Sequence, residues 1–176
     1  MERRKFIAAG LAGTALSCGR GSRSPWRFFT LEEARTIEAV CGRIVPEDQD
    51  PGAVRAGVAV FLDRQLTGFY KPLQKIYRQG IAALDRMSAA AAGHPFAELS
   101  ADSQIAMLHR VEQDPQTKPF FDMLVAHTMQ GFYGSPRHGG NRDRVSWKML
   151  GVAYPPVRGR LRYDLVDPTA GEQPWR

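Results

Sequence analysis

Apolar residues recur at three- and four-residue intervals along most of this chain, and nowhere do they alternate with polar ones over a strand's length. Leu31, Ala34, Ile37, Val40, Cys41 and Ile44 form the clearest run, one face of a helix whose start is marked by Thr30 and Glu33. There a Thr hydroxyl caps the first turn and a Glu carboxylate reaches back to the Thr N–H. Pro46 closes that helix, since proline cannot donate to it. Further helices are predicted over about 54–66, 73–90, Ser100 onward through Val111, 120–132 and 144–150. Their expected inward positions are Val58, Phe61, Leu62 and Leu66, then Ile76, Tyr77, Ile81, Leu84 and Met87, then Ile105, Met107, Leu108 and Val111. The fifth is apolar on most faces and is expected at the centre. The fold class is therefore all-α, a compact bundle of about five to six helices with a Gly/aromatic-rich C-terminal loop region.

The first eighteen residues read as an address and not as part of that bundle. Arg3, Arg4, Lys5 and Phe6 precede a weakly apolar Ala/Gly run that ends at Cys18. A positive head, a short apolar middle and a small-residue exit make an export signal, and paired arginines before a large apolar residue favour the twin-arginine route. That route carries folded proteins to the periplasm. The run is too short to span a membrane, which takes about 20 residues. Ala15, Leu16 and Ser17 before Cys18 resemble a lipoprotein processing site, which makes Cys18 the candidate for lipidation and membrane anchoring. Ordinary cleavage with Cys18 lost or unmodified is the alternative. The expected organisation is a signal over 1–18, a flexible tether over 19–27, a helical domain over 28–157 and a basic, Pro-containing tail over 158–176.

Without the signal most of the 176 residues remain. That is enough for one domain with a core and too little for two. The net charge is +6 for the whole chain. It falls to roughly +4 once the signal is removed. The surplus gathers at Arg137, Arg142, Arg144 and Lys148, and again at Arg158, Arg160 and Arg162. The default reading of such clusters is a solvated face; as a binding surface in an exported protein they would suit an acidic partner or anionic headgroups in preference to nucleic acid. Cys41 sits on an apolar stripe and reads as a buried, inert thiol. The acidic stretch 47–51 lacks the Gly and distal Glu of a calcium loop and reads as a solvated turn.

Catalytic motifs are scarce. The sequence holds no G-x-S-x-G elbow, phosphate loop, H-E-x-x-H or C-x-x-C-H. His109 and His127 lie on consecutive predicted helices, and one alternative reading sets them face to face as axial ligands of a haem in an electron carrier. Another is a stand-alone exported lipoprotein with a small ligand in a bundle pocket. The densest unusual stretch is QGFYGSPRHGGNRDRVSWKMLGVAYPP, residues 130–156. Gly139 and Gly140 permit positive φ and close backbone approach, and Asn141 bonds neighbouring backbone and starts the helix that follows. Trp147 packs while its indole N–H reaches a polar partner. Such a segment covers the end of the bundle as a rigid loop, offers an aromatic-Arg docking surface, or does both.

Phe132, Tyr133, Ser135, Pro136, Gly139, Gly140, Asn141, Arg142, Trp147, Gly151 and Pro155 resemble the C-terminal signature of the gluconate 2-dehydrogenase subunit 3 family. FFTLEEARTIEAVCGRIVPED, the segment 56–68 and FAELSADSQIAML extend the likeness over about 28–156. Two details differ: Ser146 stands where Gly is usual before the Trp, and Gly151 is separated from Pro155 by Val-Ala-Tyr. The resemblance implies a non-catalytic accessory subunit of a periplasmic, FAD-dependent sugar or sugar-acid dehydrogenase complex. The FAD then belongs to a glucose-methanol-choline-type flavoprotein, and haem c to a multihaem cytochrome partner. This chain itself is expected to hold no cofactor, with Arg3, Arg4 and Phe6 exporting the folded pair. Tyr133, Pro136, Arg137, Gly139, Gly140, Asn141, Arg142 and Trp147 are the expected loop-forming or partner-contacting residues.

Overall fold

The computed structural model describes residues 24–152. Arg3, Arg4, Phe6 and Cys18, most of the tether, Pro155 and the basic tail lie outside them. Six α-helices follow in order: α1 Leu31–Ile44, α2 Val58–Leu66, α3 Gln74–Ala92, α4 Ala101–Gln113, α5 Lys118–Tyr133 and α6 Val145–Met149. Short 3-10 turns at Lys71–Leu73, Phe96–Glu98, Pro136–His138 and Arg142–Arg144 join them, and no strand occurs among the described residues. The architecture is all-α, and α5 packs against each of the other five helices.

Local chemistry sets the helix ends. The Thr30 hydroxyl accepts the Glu33 N–H at 3.2 Å, and the Glu33 carboxylate accepts the Thr30 N–H at 2.8 Å. This is the reciprocal cap read from the sequence. Ser100 caps α4 by accepting the Ser103 N–H. At α2 the expected start is too early. Residues 53–57 form turns, Gly57 adopts a left-handed φ of 71°, and the helix begins only at Val58. Val54 is consequently half exposed.

Ile37 and Val40 of α1, Leu62 and Leu66 of α2, Tyr77 and Ile81 of α3 and Leu124 and Phe132 of α5 form the centre of the core. Burying each such side chain stabilises the fold by about 1.5–3 kcal/mol. Three positions on the expected apolar faces are exposed, Leu31 at the start of α1, Ile76 and Ile105. Ile76 lies one residue off the α3 stripe fixed by Tyr77, Ile81, Leu84 and Ser88. Ile105 gives its place on α4 to Gln104, which is buried because its side-chain NH2 donates to the Phe96 carbonyl at 3.1 Å.

Polar ties join α1 to α3. The Asp85 carboxylate accepts the Thr36 hydroxyl at 3.2 Å and the Phe96 N–H at 3.1 Å. Arg78 pairs with Glu33, donates to the Phe28 carbonyl at 2.6 Å and lies over the Phe28 ring at 4.2 Å. The phenyl ring of Phe120 rests on the bare backbone of Gly80, where a Cβ would stand 2.4 Å from it.

Candidate functional site

A helix that ends inside a protein must find partners for its last carbonyls. At the end of α5 three consecutive carbonyls are each met by a different side chain from the segment that follows. The Ser146 hydroxyl donates to Phe132 O at 2.6 Å, the Trp147 indole N–H to Tyr133 O at 2.7 Å, and the Asn141 amide to Gly134 O at 3.0 Å. Asn141 works in both directions, because its Oδ1 also accepts the Ser146 N–H at 3.1 Å. That bond anchors the first turn of α6, whose own N-cap residue, Arg144, contributes no side-chain cap. Asn141 and Ser146 are wholly buried.

Glycines let this loop lie flat on the bundle. A Cβ on Gly140 would stand 2.1 Å from the Gly131 carbonyl oxygen, so backbone meets backbone there. Gly139 has φ 102°, and the Arg64 side chain of α2 lies across it, 2.7 Å from where a Cβ would be. Arg142 makes the reverse crossing. Its N–H donates to the Ala56 carbonyl at 2.9 Å, and its guanidinium lies over Gly57 at the start of α2, 3.0 Å from a Cβ placed there. Asn141 has φ 44°, Asp143 has φ 55° and Arg144 has φ 60°. These are left-handed values that non-glycine residues adopt at a cost.

The model of the family described as gluconate 2-dehydrogenase subunit 3 matches residues 31–154, which is most of the chain. This protein belongs to that family. Neither a curated protein nor a solved structure matches it. Within this subunit 3 fold the signature residues divide by position. Phe132, Gly140, Asn141 and Ser146 face inward and build the lock on α5. Pro136 opens the 3-10 turn beside α2, and Trp147 is half-buried. Tyr133, Arg137 and Arg142 are exposed. Ser146, which departs from the usual glycine, uses its hydroxyl on the Phe132 carbonyl.

The two candidate haem ligands are not brought together. The His109 side chain is 73% exposed and lies 3.7 Å from Glu112. His127 is buried in α5, where its Nδ1 shares a 2.8 Å hydrogen bond with the Tyr77 hydroxyl and its ring stacks on Tyr70 at 4.1 Å. Tyr70 in turn bonds the Gln130 side chain. Burial lowers the His127 pKa and raises that of Tyr77. The cluster is thus built for a neutral imidazole. Cys41 shares a bond with Thr128, and burial pushes its thiol up to about 12. No cluster of metal-ligating side chains occurs among the described residues. An apolar cavity lined by Val40, Leu84, Val111, Phe120 and Leu124 measures about 10 Å³. That is room for a single water and for no larger ligand.

One residue escaped the sequence reading. Asp63, on the buried side of α2, accepts the N–H groups of Arg27 and Phe28 at 2.8 Å and of Phe29 at 3.1 Å. Its partners lie 34 to 36 positions away, so no local spacing announces them. This carboxylate fixes the point at which the N-terminal segment joins the bundle.

Proposed function

We propose that this subunit 3 protein is the non-catalytic accessory subunit of a periplasmic FAD-dependent dehydrogenase complex. It aids the export, maturation and stability of the flavoprotein subunit. The observation that carries this reading is the family match combined with the use made of the signature. Its inward polar groups are spent on the carbonyls that end α5, and its outward residues, Tyr133, Arg137 and Arg142, stand on the rigid frame that results. The buried and half-buried ionisable groups have internal work as well: Asp63 holds the N-terminal segment, Asp85 ties α1 to α3, and His127 is bonded to Tyr77.

In this reading the FAD sits in a glucose-methanol-choline-type flavoprotein, and a multihaem cytochrome c takes the electrons onward. Arg3, Arg4 and Phe6 form the twin-arginine signal that carries the folded pair across, and a lipid on Cys18 or the partner attaches the pair to the membrane. The test is purification of the tagged full chain from its native membranes. A yellow, flavin-containing subunit should accompany it, and its absence would end the proposal. In cells carrying Arg3→Lys with Arg4→Lys, the flavoprotein should fail to reach the periplasm. Its normal arrival there would remove the export role.

A further inference from the structure

The two arginine crossings gather charge where α2 meets the signature loop. Arg64 reaches from α2 over Gly139, and Arg142 reaches from the loop over Gly57. The turn Pro136–His138, which carries Arg137, packs on α2 and on the turn Arg142–Arg144, and α6 with Lys148 follows directly. Arg64, Arg137, Arg142 and Lys148 are all exposed. None of the four forms a salt bridge among the described residues. Glu38 interacts with Arg142 from a longer range, and Asp143 is the one carboxylate within the turn Arg142–Arg144. Asp63, next to Arg64 in sequence, is occupied by the N–H groups of residues 27–29.

We propose that Arg64, Arg137, Arg142 and Lys148 form a fixed cationic face that docks an acidic surface of the flavoprotein partner. This assignment rests on the accessory-subunit reading. The frame beneath the charges favours a protein over a lipid surface. Three non-glycine residues in left-handed conformations, a buried Asn and the contact of Gly140 with the Gly131 backbone hold the loop in one shape. A fluid bilayer attracts charge without reading its spacing, whereas a folded partner rewards a fixed spacing with electrostatic complementarity. Tyr133 is 40% exposed and Leu150 is 55% exposed. They add the apolar contacts that accompany arginine in protein interfaces.

The test compares the full wild-type chain with Arg137→Glu/Lys148→Glu, each co-expressed with the flavoprotein that co-purifies with the wild type. Both residues are exposed and make no salt bridge among the described residues. The variant should therefore melt with the wild type. The wild-type pair should weaken as salt rises. The variant should bind about tenfold more weakly or worse, and Arg137→Lys/Lys148→Arg should bind normally. Undiminished flavoprotein binding by the charge-reversed chain would overturn the face and leave the accessory role standing. If the wild type brings down no flavoprotein, both fall. Vesicles of phosphatidylglycerol and phosphatidylethanolamine supply the remaining arm. If charge reversal abolishes flotation with them but spares the flavoprotein, the face serves a lipid and the proposal is wrong.

Discussion

The backbone of Gly140 lies so close to the Gly131 carbonyl oxygen that a Cβ would stand 2.1 Å away. Gly131 is itself hemmed in, since a Cβ there would meet the Phe61 ring at 2.8 Å. The loop therefore cannot retreat from α5 without losing the side chains that cap it. Gly140→Ala should cost about 2–3 kcal/mol through overpacking, a fall in Tm of roughly 4–10 °C. Gly93→Ala is the comparison: it has φ 78° but nothing within 4 Å of the added carbon. It should cost only the left-handed backbone penalty, about 1–2 kcal/mol. Thermal melts of equal depth for the two variants would contradict the close approach.

Asp63, on α2, makes a separate prediction about the N-terminal segment. Asp63→Ala leaves three N–H groups without their acceptor. It should destabilise by about 2–4 kcal/mol. Asp63→Asn keeps one acceptor oxygen and should lose less. Limited proteolysis reads the effect where it arises, as new cleavage just before Thr30. If cleavage there is no faster in Asp63→Ala, the clamp does not hold the segment in solution.

What the sequence revealed and what it hid follows from the range of the interactions. The Thr30–Glu33 cap is local to one turn and was legible, as were most of the α1 stripe and, apart from Ile76, the inward face of α3. Val54 misled because an apolar residue in a turn looks like the first turn of a helix until Gly57 shows its left-handed φ. Ile105 misled because hydrophobicity alone gives it precedence over Gln104, and only the distant Phe96 carbonyl reverses that order. The glycines of the signature announced close approach, but not what they would approach. Asn141 was legible as a backbone-bonding residue, whereas its place between Gly134 and Ser146 depends on the turn of the whole loop. His109 and His127 looked alike in sequence because pattern does not tell the solvent face of α4 from the buried face of α5.

The buried His127 gives the fold a pH dependence with a definite sign. Its pKa is lowered by burial. Below about pH 6.5 the unfolded chain therefore takes up a proton that the folded chain resists. Stability due to this group is complete above that value and is lost as pH falls toward the folded pKa. Asp85 and Glu38, raised chiefly by burial, act in the opposite sense, since the folded state then binds protons more readily than the unfolded one. Through His127, Tm should drop between about pH 7 and about pH 5, and His127→Gln should flatten that slope even if it lowers Tm throughout. A slope unchanged in His127→Gln would place the titrating group elsewhere.

Asn141 offers the sharpest test of the lock on α5. Asn141→Ala removes the donor to Gly134 O and the acceptor of the Ser146 N–H, and it places a Cβ-only residue at φ 44°. Two groups left without a partner, one buried and one half-buried, should cost about 2–4 kcal/mol, with about 1 kcal/mol more for the backbone. Asn141→Gly loses the same bonds but not the conformational fit, so the difference between the two variants isolates the backbone share. Ser146→Ala removes only the side-chain bond to Phe132 O. It should cost about 1–2 kcal/mol. Because Asn141 holds the Ser146 backbone in the place from which its hydroxyl reaches Phe132 O, losing Asn141 already weakens that second bond, and the double variant Asn141→Ala/Ser146→Ala should lose less than the sum of the singles. Amide exchange at Ser146 should accelerate in Asn141→Ala while the α1 core amides stay protected at mild temperature. Strict additivity, or slow exchange at Ser146, would mean that the amide of Asn141 does not hold α6 to the end of α5.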